Sequence, residues 1–152
     1  MRYQITAIGQ VKQKFIKKGC DFYLERLRPY SKVTITEAKA SKAKQLASLQ
    51  QQEGEQLLKL ASGYLVALDE RGKTFTSEQF AAFITNLENR SVGQLSFLVG
   101  GAAGHGEDLK RAAAMSISLS QLTLPHDLAR LMLLEQLYRA ETIRAGHPYH
   151  RG

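Results

Sequence analysis

The chain has almost no cysteine, and this excludes several kinds of site. Cys20 is the only cysteine among 152 residues, so the chain can form neither an internal disulfide nor a four-cysteine zinc site. A reducing compartment is the setting that fits such a sequence best. His147 and His150 are close in sequence, but no cysteine or carboxylate cluster completes a metal site with them. We therefore expect no bound metal.

The chain also lacks long hydrophobic runs. No apolar stretch approaches the roughly 20 residues that a membrane span needs, and the N-terminus has no apolar core followed by a small-residue cleavage site. These two absences predict a cytoplasmic protein that does not interact with membranes.

Acidic residues are fewer than basic ones, and the imbalance indicates a partner. The chain has 21 Lys and Arg against 14 Asp and Glu, a formal net charge of +7, within an ordinary hydrophobic content of 43%. Phosphate, in nucleic acid or a large ribonucleoprotein, is the commonest reason for such a charge, although a merely basic globular protein is the alternative. The most basic short stretch, residues 39–44 (KASKAK), is interpreted as a solvated helix start rather than an RNA contact. The length predicts one domain over residues 1–152.

Strand patterns alternate with helix patterns along the whole chain. Apolar spacing and turn residues predict strands at residues 2–8, 32–37, 64–68, 95–99 and 116–119, and helices at 12–27, 41–60, 77–87, 107–115 and from 125 onward. Ser41, and Thr76 or Ser77, are expected as N-caps, and Pro125 in the first turn of the last helix. This alternation predicts an α/β fold with a mostly parallel sheet flanked by helices. The last helix is apolar over a wide surface, which suggests packing against a partner as well as the core.

A glycine loop, residues 100–106 (GGAAGHG), follows the strand at 95–99. It is not a Walker loop, because no Gly-Lys-Ser/Thr follows, and its spacing is not that of a dinucleotide fingerprint. A tight connection that binds nothing remains possible. Two other strand ends, LVALDERG at 65–72 and LSQLTLP at 119–125, resemble it in their small and apolar residues. If the three meet at one sheet edge, backbone groups would contact an adenine edge while Leu68, Leu122 and Leu124 flank its faces.

These segments give the chain a resemblance to a known family over its whole length. Leu68-Asp69 with Gly72-Lys73, Gly100-Gly101-x-x-Gly104, residues 119–126, residues 135–140 (EQLYRA) and the ending HPYHR at 147–151 are similar to the small SPOUT-class methyltransferases of the RlmH type. Members of that family methylate N3 of a pseudouridine in large-subunit ribosomal RNA. The resemblance implies a C-terminal trefoil knot, which general topology rules would not predict. It also implies S-adenosylmethionine as cofactor, assembled ribosomes as substrate, and cofactor contacts at Leu68, Gly100, Gly104, Leu119, Ser120, Gln121, Leu122, Thr123 and Leu124.

The basic, aromatic tail contains the candidate catalytic residues. The pseudouridine N3 carries a proton that must leave, so a base or a cation near the ring would assist transfer. His150, Arg139, Tyr149 and Arg151 are the candidates, with His150 able to accept a proton near neutral pH. The family resemblance and the apolar last helix predict a homodimer packed partly through residues 128–143, with each tail near the partner's cofactor site. The alternative function is a non-catalytic, basic ribosome-binding factor, and a nucleotide-dependent enzyme is a second alternative.

Overall fold

The structure is a computed structural model that describes residues 1–151, in which five strands alternate with five helices. The strands are β1 (Arg2–Ile8), β2 (Val33–Ala38), β3 (Tyr64–Thr74), β4 (Gln94–Val99) and β5 (Met115–Ser118). The helices are α1 (Lys14–Leu27), α2 (Leu46–Leu60), α3 (Ser77–Asn89), α4 (Glu107–Ala112) and α5 (His126–Arg144). The strands form one sheet in the order β2-β1-β4-β3-β5, and every pairing is parallel. The predicted α/β class is confirmed, and Gly152, the last residue of the predicted domain, lies outside the described residues.

Helices cover both faces of the sheet, and successive residues of each strand point to opposite faces. On one face, Tyr3, Ile5 and Phe97 belong to the core that includes buried residues of α1, α3 and α5. On the other face, Ile8 and Leu98 pack with buried leucines of α2 and α4. Side chains of successive strand residues point to opposite faces, so the central strands β1 and β4 must be apolar on both. This explains why residues 95–99 are buried without interruption.

Helix α2 begins later than the sequence predicts. It starts at Leu46, so the prediction of Ser41 as its N-cap is wrong. The Ser41 hydroxyl instead accepts a hydrogen bond from Ala43 N at 3.1 Å, within the loop before the helix. Such local side-chain bonds favour turns over helix. The cap of α3 is confirmed at Thr76, which forms a capping box with Gln79.

Strand β3 continues past its predicted end. Ile117 of β5 pairs with both Leu68 and Lys73, because the intervening residues form an irregularity in the register. A Cβ on Gly72 would lie 2.6 Å from the carbonyl carbon of Ser116 and 2.7 Å from Ile117 N. Only glycine allows this approach of β3 to β5. The resulting contact brings the ends of β3 and β5 together; the knot that the resemblance implies stays a prediction.

The last helix crosses one face of the sheet. It starts at His126, with Pro125 in the N-cap position rather than the first turn. Its buried residues include the polar Asp127, Arg130 and Glu141 as well as leucines. Within residues 1–151, no helix combines the length and apolar character needed to cross a membrane.

Candidate active site

A pocket of about 310 Å³ lies where the carboxyl ends of β3, β4 and β5 meet the start of α5. Parallel strands present their carboxyl ends at one edge, where open α/β sheets bind ligands. The three strand ends identified in the sequence therefore come together as predicted. The lining residues are Leu68, Asp69, Glu70, Val99, the glycine loop from Gly100 to His105, Leu119, Ser120, Leu122, Thr123, Leu124, His126 and Ala129.

Two glycines shape the loop that follows β4, for different reasons. Gly104 has φ +71°, a conformation that side chains rarely adopt, and its N–H donates to the Gly101 carbonyl at 3.0 Å. A Cβ on Gly100 would lie 3.2 Å from the backbone carbon of Gly104 and 3.2 Å from Cε1 of His105. Gly100 thus keeps the loop tightly folded, while Gly104 provides its turn.

The segment after β5 forms the opposite wall and is held by its own hydrogen bonds. The Ser120 hydroxyl accepts from Leu122 N at 3.0 Å, and Thr123 Oγ1 donates to Glu70 Oε2 at 2.6 Å, joining this wall to the end of β3. Leu122 is 77% exposed although it lines the pocket. Gln121 belongs to the same segment, but it is exposed and is not among the lining residues. An apolar surface open to solvent is suited to contact with a bound ligand.

A buried polar layer supports the pocket. Asp69 Oδ2 accepts from Lys110 Nζ at 2.7 Å. Burial alone would raise the pKa of Asp69, but hydrogen bonds from Lys110 and from Arg71 N hold it below its ordinary value. His105 Nε2 lies 2.9 Å from the Leu98 carbonyl oxygen, and burial lowers the His105 pKa. The imidazole is therefore favoured in its neutral form, donating from Nε2.

The tail folds back on the far part of α5, where the candidate catalytic residues contact one another. Tyr149 Oη donates to Glu135 Oε1 at 3.1 Å, and Arg139 Nε donates to the same oxygen at 2.9 Å. The Arg139 guanidinium lies 4.8 Å from the centroid of the Tyr149 ring. His150 Nδ1 lies 3.0 Å from Arg139 Nη1, and its Nε2 lies 2.9 Å from Glu78 Oε1. Since arginine only donates, Nδ1 accepts and Nε2 carries the proton.

This tail cluster perturbs its ionisable groups. Burial and the neighbouring Tyr23 and Glu135 raise the pKa of Tyr149 above its ordinary value, so the phenol keeps its proton. The hydrogen bond that Arg139 donates to Glu135 raises the pKa of Arg139, and the hydrogen bond from His150 lowers the pKa of Glu78. Arg151 is exposed. Among residues 1–151, no three His, Cys, Asp or Glu side chains are grouped so as to hold a metal ion.

Within one chain, the pocket and the tail cluster lie at different ends of α5. His126 lines the pocket, whereas Arg139 follows it by thirteen residues in the same helix. At 1.5 Å per residue, this corresponds to roughly 20 Å along the helix axis. The structure therefore brings the predicted cofactor residues other than Gln121 together at the pocket, and separately brings His150, Arg139 and Tyr149 together, but it does not join the two groups.

Sequence reasoning missed three charged residues beside the pocket. Asp127 Oδ2 accepts from Lys12 N at 3.1 Å, and Arg130 Nη2 donates to the Gly9 carbonyl at 2.9 Å, so α5 holds the loop after β1. The third, Glu53, is buried in α2. The sequence does contain a signal for Asp127 and Arg130. They are charged residues at i, i+3 spacing in an otherwise apolar helix surface, and this spacing places both on the same side of α5.

Comparison with known proteins agrees with this geometry. The family model described as a predicted SPOUT methyltransferase matches residues 1–150. A ribosomal RNA large subunit methyltransferase H from Natranaerobius thermophilus is 42% identical over 160 residues, covering 99% of each chain. The fold is similar to that of a probable methylase family protein from Haemophilus influenzae, with a TM-score of 0.57 at 12% identity, covering 99% of this chain and 70% of the other.

A second structural neighbour is a candidate methyltransferase from Legionella pneumophila, solved in complex with the bound cofactor SAM. Its TM-score is 0.50 at 11% identity, over 92% of this chain and 66% of the other. The fold is thus one shared by other α/β proteins with a parallel sheet. The match over nearly the whole sequence is more specific: the chain belongs to the SPOUT methyltransferase family.

Proposed function

We propose that the protein transfers a methyl group from S-adenosylmethionine (SAM) to large-subunit ribosomal RNA, at N3 of a pseudouridine in the assembled ribosome. The observation that carries this proposal is the pocket formed by three strand segments, which is lined by the glycine loop and by Leu68, Leu119, Leu122 and Leu124. A relative of nearly equal length carries the name of a large-subunit ribosomal RNA methyltransferase. A substrate of this kind implies a cytoplasmic enzyme.

The pocket has the features that SAM requires. Its volume of about 310 Å³ is at the lower end of the range for small-molecule sites. Gly100 and Gly104 would allow close approach of the loop backbone, and Leu68, Leu122 and Leu124 would flank the adenine. Leu119, Ser120 and Thr123, also predicted to contact the cofactor, line the pocket from the segment after β5. SAM supplies a methyl group on a sulfonium, which is already electrophilic.

The protein's own contribution is to position the acceptor ring and to remove its proton. N3 of the pseudouridine must lose a proton before or during attack. In the proposed reaction His150 accepts that proton at Nδ1, after the substrate displaces Arg139 from it. Arg139 and Arg151 then stabilise negative charge on the ring oxygens or bind phosphate, while Tyr149 keeps its proton and donates a hydrogen bond to Glu135.

A homodimer would join the two separated halves of this site. Because one chain's tail cluster lies at the far end of α5, a partner's tail is needed at the pocket. The surface available for such contact is apolar: Phe15 and Phe22 of α1 are 71% and 50% exposed, and Leu128 of α5 is 37% exposed. Helices α1 and α5 pack closely, with Gly19 against Leu131. Adjacent exposed apolar side chains of this kind mark interaction surfaces.

The direct test is a methyl-transfer assay with labelled SAM. Whole ribosomes, separated large subunits and naked ribosomal RNA serve as parallel substrates, and the labelled nucleotide is identified by digestion and chromatography. We expect label at N3 of a pseudouridine, with whole ribosomes the best substrate. SAM binding without label transfer to any of the three substrates would contradict the proposed function.

A further inference from the structure

Lysines concentrate in two short segments that the proposed reaction has not used. Residues 10–19 contain four lysines and residues 39–45 contain three, with no Asp or Glu in either segment. Removing these seven from the 21 basic residues leaves 14, equal to the 14 acidic residues of the chain. The whole formal net charge of +7 thus corresponds to these two segments.

The seven lysines are exposed, and none of them forms an ion pair within residues 1–151. Lys110, Arg130 and Arg144 are each paired with a carboxylate, whereas Lys32, Lys59 and Arg90 are exposed and scattered along the opposite edge of the sheet. Glu37, the acidic residue nearest to the second segment in the sequence, is paired with Arg130 at 2.5 Å. The two segments therefore present uncompensated positive charge to solvent.

The fold brings the two segments together at the pocket's edge of the sheet. One follows β1 and the other follows β2, which are parallel neighbours, so both lie where those strands end. Gly9 N donates to the Ala38 carbonyl at 2.7 Å, which joins the starts of the two loops. The carboxyl ends of β4, β3 and β5 form the pocket at the same edge.

In each segment, one backbone N–H donates to a carboxylate that lies beside the pocket. The Glu53 carboxylate accepts from Ser41 N at 3.0 Å, and its other oxygen lies 3.5 Å from the position of a Cβ on Gly101, in the glycine loop. Asp127 accepts from Lys12 N, and it follows His126, which lines the pocket. These two carboxylates hold Lys12 and Ser41 beside the pocket. Lys14, Lys17 and Lys18 follow in the first turns of α1, and the three lysines of the second segment lie in the loop before α2.

We propose that the seven lysines of these two segments, Lys12, Lys14, Lys17, Lys18, Lys39, Lys42 and Lys44, form a basic surface that binds phosphates of the ribosomal RNA flanking the methylated nucleotide; this rests on the proposed function. The charge complements an RNA backbone, and lysine contacts to phosphate give affinity and register without reading sequence. The sequence-based interpretation of residues 39–44 as a solvated helix start is thereby replaced. They form an anchored loop before α2, not its first turn.

The test compares two sets of three neutralising substitutions. The first is Lys39→Gln/Lys42→Gln/Lys44→Gln, in the loop before α2. The matched control is Lys32→Gln/Lys59→Gln/Arg90→Gln, three exposed residues that closely precede strands β2, β3 and β4 and so lie at the opposite edge. Both variants lose three charges, so any difference between them reports location rather than net charge.

Ribosome binding is measured by cosedimentation at several salt concentrations, and methyl transfer is measured in parallel. For the first variant we expect affinity to fall at least tenfold near 0.1 M salt, and the slope of log K against log salt to decrease by about 2 to 3, since each phosphate contact contributes roughly 0.7 to 0.9. SAM affinity by calorimetry should be unchanged. The control should remain within about threefold of the original protein, because its charges lie away from the proposed surface.

Equal losses in both variants would overturn the surface, because net charge alone would then explain the binding. A loss of affinity with an unchanged salt slope would also overturn it, since it would indicate a protein contact rather than phosphate. Cosedimentation tests the surface without relying on catalysis. An original protein that binds ribosomes in this manner but transfers no methyl group would refute the proposed function and leave the surface supported.

Discussion

A single methyl group added at Gly100 should weaken SAM binding while leaving the fold intact. In Gly100→Ala the new Cβ would lie 3.2 Å from the backbone carbon of Gly104 and 3.3 Å from its carbonyl oxygen, whereas unstrained carbon contacts lie at about 3.5–4.0 Å. The glycine loop must therefore move by about 0.3 Å or more. Its exposed part can move in the free protein, so the free energy of unfolding should fall by less than about 1 kcal/mol.

When SAM is bound, the glycine loop cannot move away from the added Cβ. If the loop backbone cradles the cofactor, it must return to its original position on binding, and the overpacking of roughly 1–2 kcal/mol then opposes association. We expect the SAM dissociation constant to rise about 5- to 30-fold. Isothermal titration calorimetry measures it directly, and denaturant unfolding measures stability.

Gly104→Ala is the matched comparison within the same loop. Gly104 has φ +71° but no atom within 4 Å of an added Cβ. Its strain, about 1 kcal/mol, is present in both the free and bound states, so it should reduce stability more than affinity. The reasoning is refuted if Gly100→Ala binds SAM within twofold of the original protein, or if Gly104→Ala weakens binding more than Gly100→Ala does.

Three further predictions concern the tail, the dimer and pH. Deleting residues 147–152 should reduce the rate of ribosome methylation at least 100-fold, because the candidate proton acceptor is lost. The SAM affinity measured by calorimetry should stay within about threefold, because the pocket residues remain. Phe15→Glu should convert a dimer into monomers in light scattering, because burying an unpaired charge in the interface is unfavourable. Burial lowers the His105 pKa, so the unfolded state takes up more protons; stability should therefore fall as pH drops below about 6.5, and less steeply in His105→Gln.

Each of these has its own control. Tail deletion is compared with Lys59→Gln, a change at an exposed residue outside the tail, and a truncated protein that methylates ribosomes at the original rate would exclude the tail from catalysis. For the dimer, Gln13→Glu adds a charge at an exposed residue before α1, and a monomeric original protein at micromolar concentration would contradict the proposed assembly. For His105, the free energy of unfolding of the original protein and of His105→Gln is measured at pH 7 and pH 5. An equal decrease in both proteins would show that this imidazole does not cause the pH dependence of stability.

Local sequence patterns predicted most of the elements because their signals are local. Alternation in residues 2–8, unbroken apolar character in residues 95–99 and helical spacing in the last helix each follow from the period of one backbone conformation. Boundaries that depend on side-chain contacts were less predictable. The Ser41 hydroxyl bonds within its own loop, and β3 continues to Thr74 because it pairs again with β5.

The sequence by itself determined the alternating α/β elements, the glycine loop and, through family resemblance, the residues of the candidate cofactor site. Only the tertiary structure decided which of these residues meet. Parallel pairing in the order β2-β1-β4-β3-β5 places three strand ends around one pocket and two lysine-rich loops beside it. Helix α5 separates Arg139 of the tail cluster from His126 of the pocket by roughly 20 Å along its axis. Such distances arise from contacts between residues far apart in the chain, such as Asp127 with Lys12, which local periodicity does not encode.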